Sequence, residues 1–193
     1  MSNCRIVSPI NVSFRPDLTG TKSELEDFYG SLGEIYKDTV DIIMCESMSS
    51  IFEGRNASRV AKEFSERVWL SWTNRGHQPD QLPSTEALSK AVDFSIEADV
   101  ECTLINCSHA DMASNSIKEL KRASRFGIFA NSSTFKEVDL SVATKDVDAI
   151  HHLNSEEISA KEYAMIALSW AKEGAFVVGG CCGTTVEHTR EIK

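Results

Sequence analysis

Short apolar runs alternate with helix-patterned stretches along this chain, and that alternation restricts the fold more than any other feature. The runs lie at residues 5–12, 41–45, 68–72, 102–105, 126–130 and 175–178. They are rich in Val, Ile, Phe and Trp, as strands buried on both faces of a parallel sheet must be. Helical stripes fill the gaps. Ser23 and Glu26 are spaced as a capping box before Leu25, Phe28, Tyr29, Leu32, Ile35 and Tyr36. Ser50 and Glu53 precede Ala57, Val60, Ala61 and Phe64, and Ala87, Leu88, Ala91 and Val92 follow Pro83. Ile117 and Leu120 mark a fourth helix. Ser159 and Glu162 open a fifth, with Tyr163, Ile166, Ala167 and Trp170, and Thr184 and Glu187 open a sixth. Each stripe is read as core packing.

Strand–helix alternation predicts an α/β fold with a parallel sheet. The run starts advance from residue 5 to residue 175 in five steps, about 34 residues each. A (β/α)8 barrel uses about 31 residues per unit. A doubly wound sheet is the alternative, but the usual Gly-x-Gly-x-x-Gly turn after the first strand is absent. With 193 residues, 41% of them hydrophobic, residues 1–193 are expected to form a single domain.

The formal charge of −9 comes without a basic cluster, which argues against nucleic-acid and anionic-membrane partners. No apolar run reaches the ~20 residues of a membrane helix. The first residues lack a secretion signal, so the cytoplasm is the expected compartment. Six cysteines in such a chain are expected to be buried, metal-bound or reactive rather than disulfide-bonded.

The residues that close the strands are chemically useful: Arg15, Glu46, Asn74, Cys107, Asn131, Cys181 and Cys182. Sites in parallel α/β folds form at this end of the sheet. The sharpest local feature is Gly179-Gly180-Cys181-Cys182-Gly183. Adjacent side chains on a regular strand point to opposite faces. Two neighbouring sulfurs reach one ion only if the backbone leaves strand geometry, and the flanking glycines permit that. Cys107, also at a strand end, is the best-placed third ligand. Cys45 should face away from Glu46, Cys102 sits at the wrong end of its strand, and Cys4 precedes the first strand. Three thiolates with one open position describe a catalytic zinc. The alternatives are a fourth ligand from His109 or His188, cysteines that merely pack, and a redox-active pair.

VVGGCCGTTVEHTR at 177–190 resembles the carboxy-terminal signature of the zinc-dependent homocysteine S-methyltransferase family. LINCSH at 104–109 resembles that family's other zinc-cysteine segment, IIMCES at 42–47 its Glu-Thr strand end, and FANSS at 129–133 its Pro-Asn-Ser-Gly turn. The resemblance implies a (β/α)8 TIM barrel that moves a methyl group to homocysteine, making methionine. The donor would be S-methylmethionine, S-adenosylmethionine, betaine or a folate derivative. It implies Cys107, Cys181 and Cys182 as Zn2+ ligands. It also implies Glu46 as the residue that binds the substrate's amino group, with Asn106 and Asn131 helping to form the substrate pocket.

The chain also departs from the family pattern. The likeness begins at what would be the third strand, with no Asp-Gly-Gly segment before it, so about six units corresponding to strands 3–8 are expected. Such a barrel is incomplete, with two open sheet edges that a second copy or a partner chain would cover. Val186 and Ala110 stand where prolines are usual, Thr189 where an isoleucine is common, and Ser133 where the turn has glycine. Residues 132–158, including His151 and His152, carry no clear pattern. Three functions compete: a zinc-dependent methyltransferase, a catalytically impaired zinc-binding fragment acting through a partner chain, and a metal-free barrel enzyme.

Overall fold

The computed structural model describes residues 3–11, 13–135 and 155–192. Among the described residues, eight strands and seven α-helices follow in the order β1 (Cys4–Val7), α1 (Lys22–Tyr36), β2 (Ile42–Met48), α2 (Ile51–Ala61), β3 (Val68–Trp72), α3 (Leu88–Glu97), β4 (Cys102–His109), α4 (Ala110–Asn115), α5 (Ile117–Leu120), β5 (Phe126–Asn131), β6 (Ser133–Phe135), β7 (Ser155–Glu157), α6 (Ala160–Lys172), β8 (Val177–Gly180) and α7 (Val186–Glu191). A short 3-10 turn at Pro16–Leu18 precedes α1. His151 and His152 lie outside the described residues.

Six strands form one parallel sheet in the order β1-β2-β3-β4-β5-β8, and β6 pairs with β7 as a small antiparallel ribbon. A doubly wound sheet reverses its order part-way to place helices on both faces. Here the order never reverses. The sheet curls into a half-barrel, an incomplete TIM-barrel arrangement with β1 and β8 as its edges.

Alternation along each strand sorts the core into two layers. Ile43, Cys45, Val68, Leu70, Trp72, Ile105, Ile128 and Ala130 face outward into the helix layer, against Leu25, Tyr29, Ala57, Val60, Leu88, Val92, Tyr163 and Trp170. Each such large side chain contributes about 1.5–3 kcal/mol by leaving water. Trp72 also satisfies its indole N–H, which donates to the Ser95 hydroxyl at 3.0 Å. The concave face is smaller: Met44, Cys102 and Leu104, flanked by Cys4, Trp69, Phe129 and Val177. Ile6 and Phe176, beside the two edges, stay 43% and 53% exposed.

Element ends differ from the sequence expectation in instructive ways. β1 stops at Val7 because Pro9, which has no N–H, cannot carry the ladder onward. The capping box of α1 is Thr21 with Glu24, not Ser23 with Glu26. Both pairs have the same spacing, and Glu26 is instead drawn to Arg59 and Lys22. Ser159 and Glu162 do form the box of α6. α7 is capped by Thr185, because the Thr184 hydroxyl is spent on the carbonyl of Cys181 at 2.6 Å. β2 and β4 run on to Met48 and His109, past the expected ends. Their polar last residues still pair in the sheet and bring the site residues into it. Among the described residues no helix is long and apolar enough to cross a membrane.

Candidate metal centre

Two bulges shape the carboxyl end of the sheet. The register shifts between Cys45 and Met48 in β2 and between Asn106 and His109 in β4. Each bulge contains a residue in the left-handed region, Ser47 at φ 58° and Cys107 at φ 51°. In a regular strand, Asn106 on the concave side would turn Cys107 back toward the helices. The left-handed residue breaks that alternation.

The Cys181–Cys182 pair is held by its backbone. Cys181 N–H donates to the Ala130 carbonyl at 2.8 Å, and Ser132 N–H donates to the Cys182 carbonyl at 3.0 Å. Cys182 N–H donates to Asn131 Oδ1 at 3.1 Å. Behind the turn, the buried Tyr163 hydroxyl lies 2.8 Å from the Ala130 carbonyl and 2.7 Å from that of Gly179, sharing its proton between them. Gly183 takes φ +76°, and a Cβ there would meet Ser132 Oγ at 2.5 Å. A Cβ on Gly180 would meet the Thr184 side chain at 2.5 Å. Both positions need glycine, one for conformation as well as space and the other for space.

These devices bring three sulfurs together. Cys107 Sγ is 2.9 Å from Cys181 Sγ and 3.6 Å from Cys182 Sγ, and the last two are 4.0 Å apart. A tetrahedral zinc with bonds of ~2.3 Å separates its sulfurs by about 3.8 Å. The circle through the three sulfurs has a radius of about 2.1 Å, less than that bond length, so one ion beside their plane reaches all three. The charge balance fits as well. Hydrogen bonds that the Cys107 thiol donates to Cys181 and Cys182, then burial, push it far up. Cys107 pulls the Cys181 thiol down, but Cys182, burial and the Glu46 charge outweigh it and leave Cys181 raised, at about 11. Three thiols packed this closely resist ionising together unless a cation compensates them.

Among the described residues this is the metal-compatible cluster, and its ligand atoms come from these three cysteines alone. His109 Nδ1 is 2.9 Å from Ser133 Oγ, and His188 Nδ1 faces the Thr185 hydroxyl and N–H. Neither histidine joins the cluster. Cys107 and Cys181 are half-buried and Cys182 is exposed, so the cluster is reached from solvent. Cys45 is buried in the helix layer and Cys102 lies at the start of β4, as their positions implied. Burial pushes both thiols up, Cys102 to about 12. All six cysteines are free thiols.

Glu46 is half-buried beside this cluster. Burial and then the Cys182 charge raise its carboxyl above the ordinary value. Asn106 Nδ2 donates to Glu46 Oε1 at 3.3 Å. Asn131 is buried and serves the Cys182 backbone. Arg15 pairs with Asp17 within its own turn, and Asn74 donates to the Pro79 carbonyl and Ser116 hydroxyl to fold its loop. These two strand-end residues therefore have structural partners. Sequence reading missed Ser47, Ser71 and Tyr163. Ser71 was findable: along β3 it shares the concave side with Trp69, and a polar residue there at the carboxyl end of a strand marks a site.

Residues 5–193 match the sequence profile described as homocysteine S-methyltransferase. The chain belongs to the homocysteine S-methyltransferase family. A curated relative, "Homocysteine S-methyltransferase YbgG" of Bacillus subtilis (strain 168), is 24% identical over 183 residues, covering 93% of this chain and 54% of its own length. Crystal structures of the homocysteine methyltransferase MmuM from Escherichia coli share the fold. The apo form aligns with a TM-score of 0.68 at 16% identity, covering 98% of this chain and 60% of that one. The metallated form aligns with a TM-score of 0.67 at 19% identity, covering 93% and 54%. The chain thus spans about half the length of the curated relative it matches. Three of the chain's departures from the family pattern, Ala110, Val186 and Ser133, fall where the backbone tolerates them. Ala110 and Val186 occupy the first positions of α4 and α7, where proline is favoured but not required. Ser133 lies in β6 outside the left-handed region, so glycine is not needed there.

Proposed function

We propose that this chain carries the zinc and homocysteine half of a homocysteine S-methyltransferase. It would move a methyl group from a sulfonium, ammonium or folate-type donor to homocysteine and form methionine. The observation that carries this reading is the three-sulfur cluster at the carboxyl end of the sheet with the Glu46 carboxyl beside it.

Cys107, Cys181 and Cys182 are the residues to hold Zn2+. When bound, the zinc would deprotonate the homocysteine thiol and keep it oriented as a nucleophile. Three thiolates against Zn2+ leave a formal charge of −1, which keeps the incoming sulfur electron-rich. The Glu46 carboxylate would take the substrate's ammonium group, with Asn106 behind it donating to Oε1 and Asn131 holding the Cys182 backbone beside it. In the transfer, the substrate sulfur forms a bond to the methyl carbon as the donor's bond breaks, and the donor leaves with the electron pair. No protein nucleophile is required. Free thiols at all six cysteines suit the cytoplasm.

A second reading has its own observation. Among the described residues the sheet ends in two unpaired edges, β1 and β8, with Ile6 and Phe176 exposed beside them. On that reading the chain binds zinc but transfers no methyl group until a partner chain covers the edges. The test is methyl transfer to homocysteine from several donors, by the chain alone, with and without a chelator. Turnover that chelation abolishes supports the first reading. Zinc binding without turnover supports the second, and turnover that survives chelation contradicts both.

A further inference from the structure

Asn106 is fully buried at the end of β4, at 0% exposure, so it presents no face to a small molecule. Its hydrogen-bonding capacity is turned inward. Oδ1 accepts from the Ser47 N–H at 3.0 Å and from the Ser71 hydroxyl at 2.6 Å. Nδ2 donates to the Ser47 hydroxyl at 2.7 Å and to Glu46 Oε1 at 3.3 Å. The amide orientation has one solution. A backbone N–H only donates, so the atom facing Ser47 N is the oxygen, and the NH2 must point at Glu46.

Ser47 needs this support. It holds a left-handed backbone at φ 58° in the β2 bulge, a conformation that costs a non-glycine residue about 1–2 kcal/mol. Released, the bulge would relax and carry the adjacent Glu46 with it. Ser71 is fully buried and spends its proton on Asn106 Oδ1, locking the amide from the third strand.

We infer that Asn106, locked by Ser71, is a positioning residue for Glu46 and does not itself touch substrate. The inference rests on Glu46 as the ammonium-binding carboxylate proposed above. Because Oε1 already accepts from Asn106, Oε2 is the better acceptor for a ligand's ammonium. Strands β2, β3 and β4 together thus fix where that ammonium must sit relative to the sulfur cluster.

The test compares zinc-loaded parent chain, Ser71→Ala, Glu46→Gln and the double variant. Calorimetry measures binding of homocysteine and of its desamino analogue, 4-mercaptobutyrate, alongside zinc content. The parent should prefer homocysteine, and Glu46→Gln should erase that preference. Ser71→Ala should lower the preference by about 2- to 10-fold, the worth of one hydrogen bond, with zinc unchanged. It should add nothing in the Glu46→Gln background. Full preference in Ser71→Ala, or a loss that persists undiminished in the double variant, overturns the positioning role while the Glu46 reading stands. Equal affinity of the parent for both thiols overturns the Glu46 reading and this inference with it. A ligand-free check is the crystal structure of Ser71→Ala. Displacement of Ser47 or Glu46 supports the inference, and unchanged positions overturn it.

Discussion

Gly183→Ala offers the sharpest view of how the cysteine turn is held. Two separate costs are legible at this position. The φ of +76° is unfavourable for any residue with a Cβ, by about 1–2 kcal/mol. The new methyl would also lie 2.5 Å from Ser132 Oγ, an overpacking contact of about 1–3 kcal/mol. Without metal, the turn can relax away from both. Metal binding must restore it, because Cys181 and Cys182 converge on Cys107 only in the turn as drawn. The penalty therefore falls on zinc affinity more than on global stability. Together the costs come to about 3 kcal/mol, which is roughly a hundredfold in Kd. The assay is competition with a chromophoric zinc chelator, paired with urea unfolding of the metal-free chain. Adding Ser132→Ala removes the hydroxyl and should recover the steric share, leaving about a tenfold deficit from the backbone. Parental zinc affinity in Gly183→Ala would refute the reasoning. Full recovery in the double variant would refute the backbone share.

Three further outcomes follow from the same geometry. Glu46 has a raised carboxyl and must be ionised to hold an ammonium group, so homocysteine affinity should fall as pH drops through that raised value. Glu46→Gln should bind weakly and keep only the pH dependence that comes from release of the substrate's thiol proton, and a parent profile of the same shape as the variant's would count against the role. Tyr163→Phe removes the hydroxyl shared by the Ala130 and Gly179 carbonyls and should cost about 1–2 kcal/mol in urea unfolding; an unchanged midpoint would contradict the buttress. At the opposite end of the sheet, Arg67, Trp69 and Arg125 all donate to Glu101, and its hydrogen bond with Arg67 chiefly holds its carboxyl below the ordinary value. A depressed folded value means stability present above the unfolded carboxyl range and lost as pH falls through the folded one. Glu101→Gln should be less stable near neutrality and lose less on acidification, as thermal melts across pH would show.

Much of this was legible in the chain, for definite reasons. Parallel strands buried on both faces must be continuously apolar, so the four inner strands, β2 to β5, are legible, and the edge strands β1 and β8 are marked by the same short apolar runs though they are only partly buried. Their positions beside chemically useful residues also placed the site at the carboxyl end. Cys107 was assigned to the cluster because strand-end position is enough to bring it there. The bulges at Ser47 and Cys107 were not legible, because neither residue is a glycine and tertiary hydrogen bonds impose their backbone. For the same reason β2 and β4 looked shorter than they are: Glu46, Asn106 and Cys107 are polar, yet they belong to the sheet. The α1 cap went to Thr21 because two equally spaced pairs competed, and local spacing cannot rank them. The family resemblance implies pocket roles for Asn106 and Asn131, and sequence alone does not show which groups their amides meet. The structure gives their side chains to Glu46 and Cys182, partners 60 and 51 residues away in sequence.

The central claim is that Cys107, Cys181 and Cys182 hold one metal ion. It is tested most directly by zinc per chain in the purified protein, by elemental mass spectrometry, beside Cys181→Ser. The geometry predicts one zinc per chain in the parent and loss of tight binding in the variant. Equal zinc content in the two, or a folded parent chain that takes up none when zinc is supplied, would contradict it.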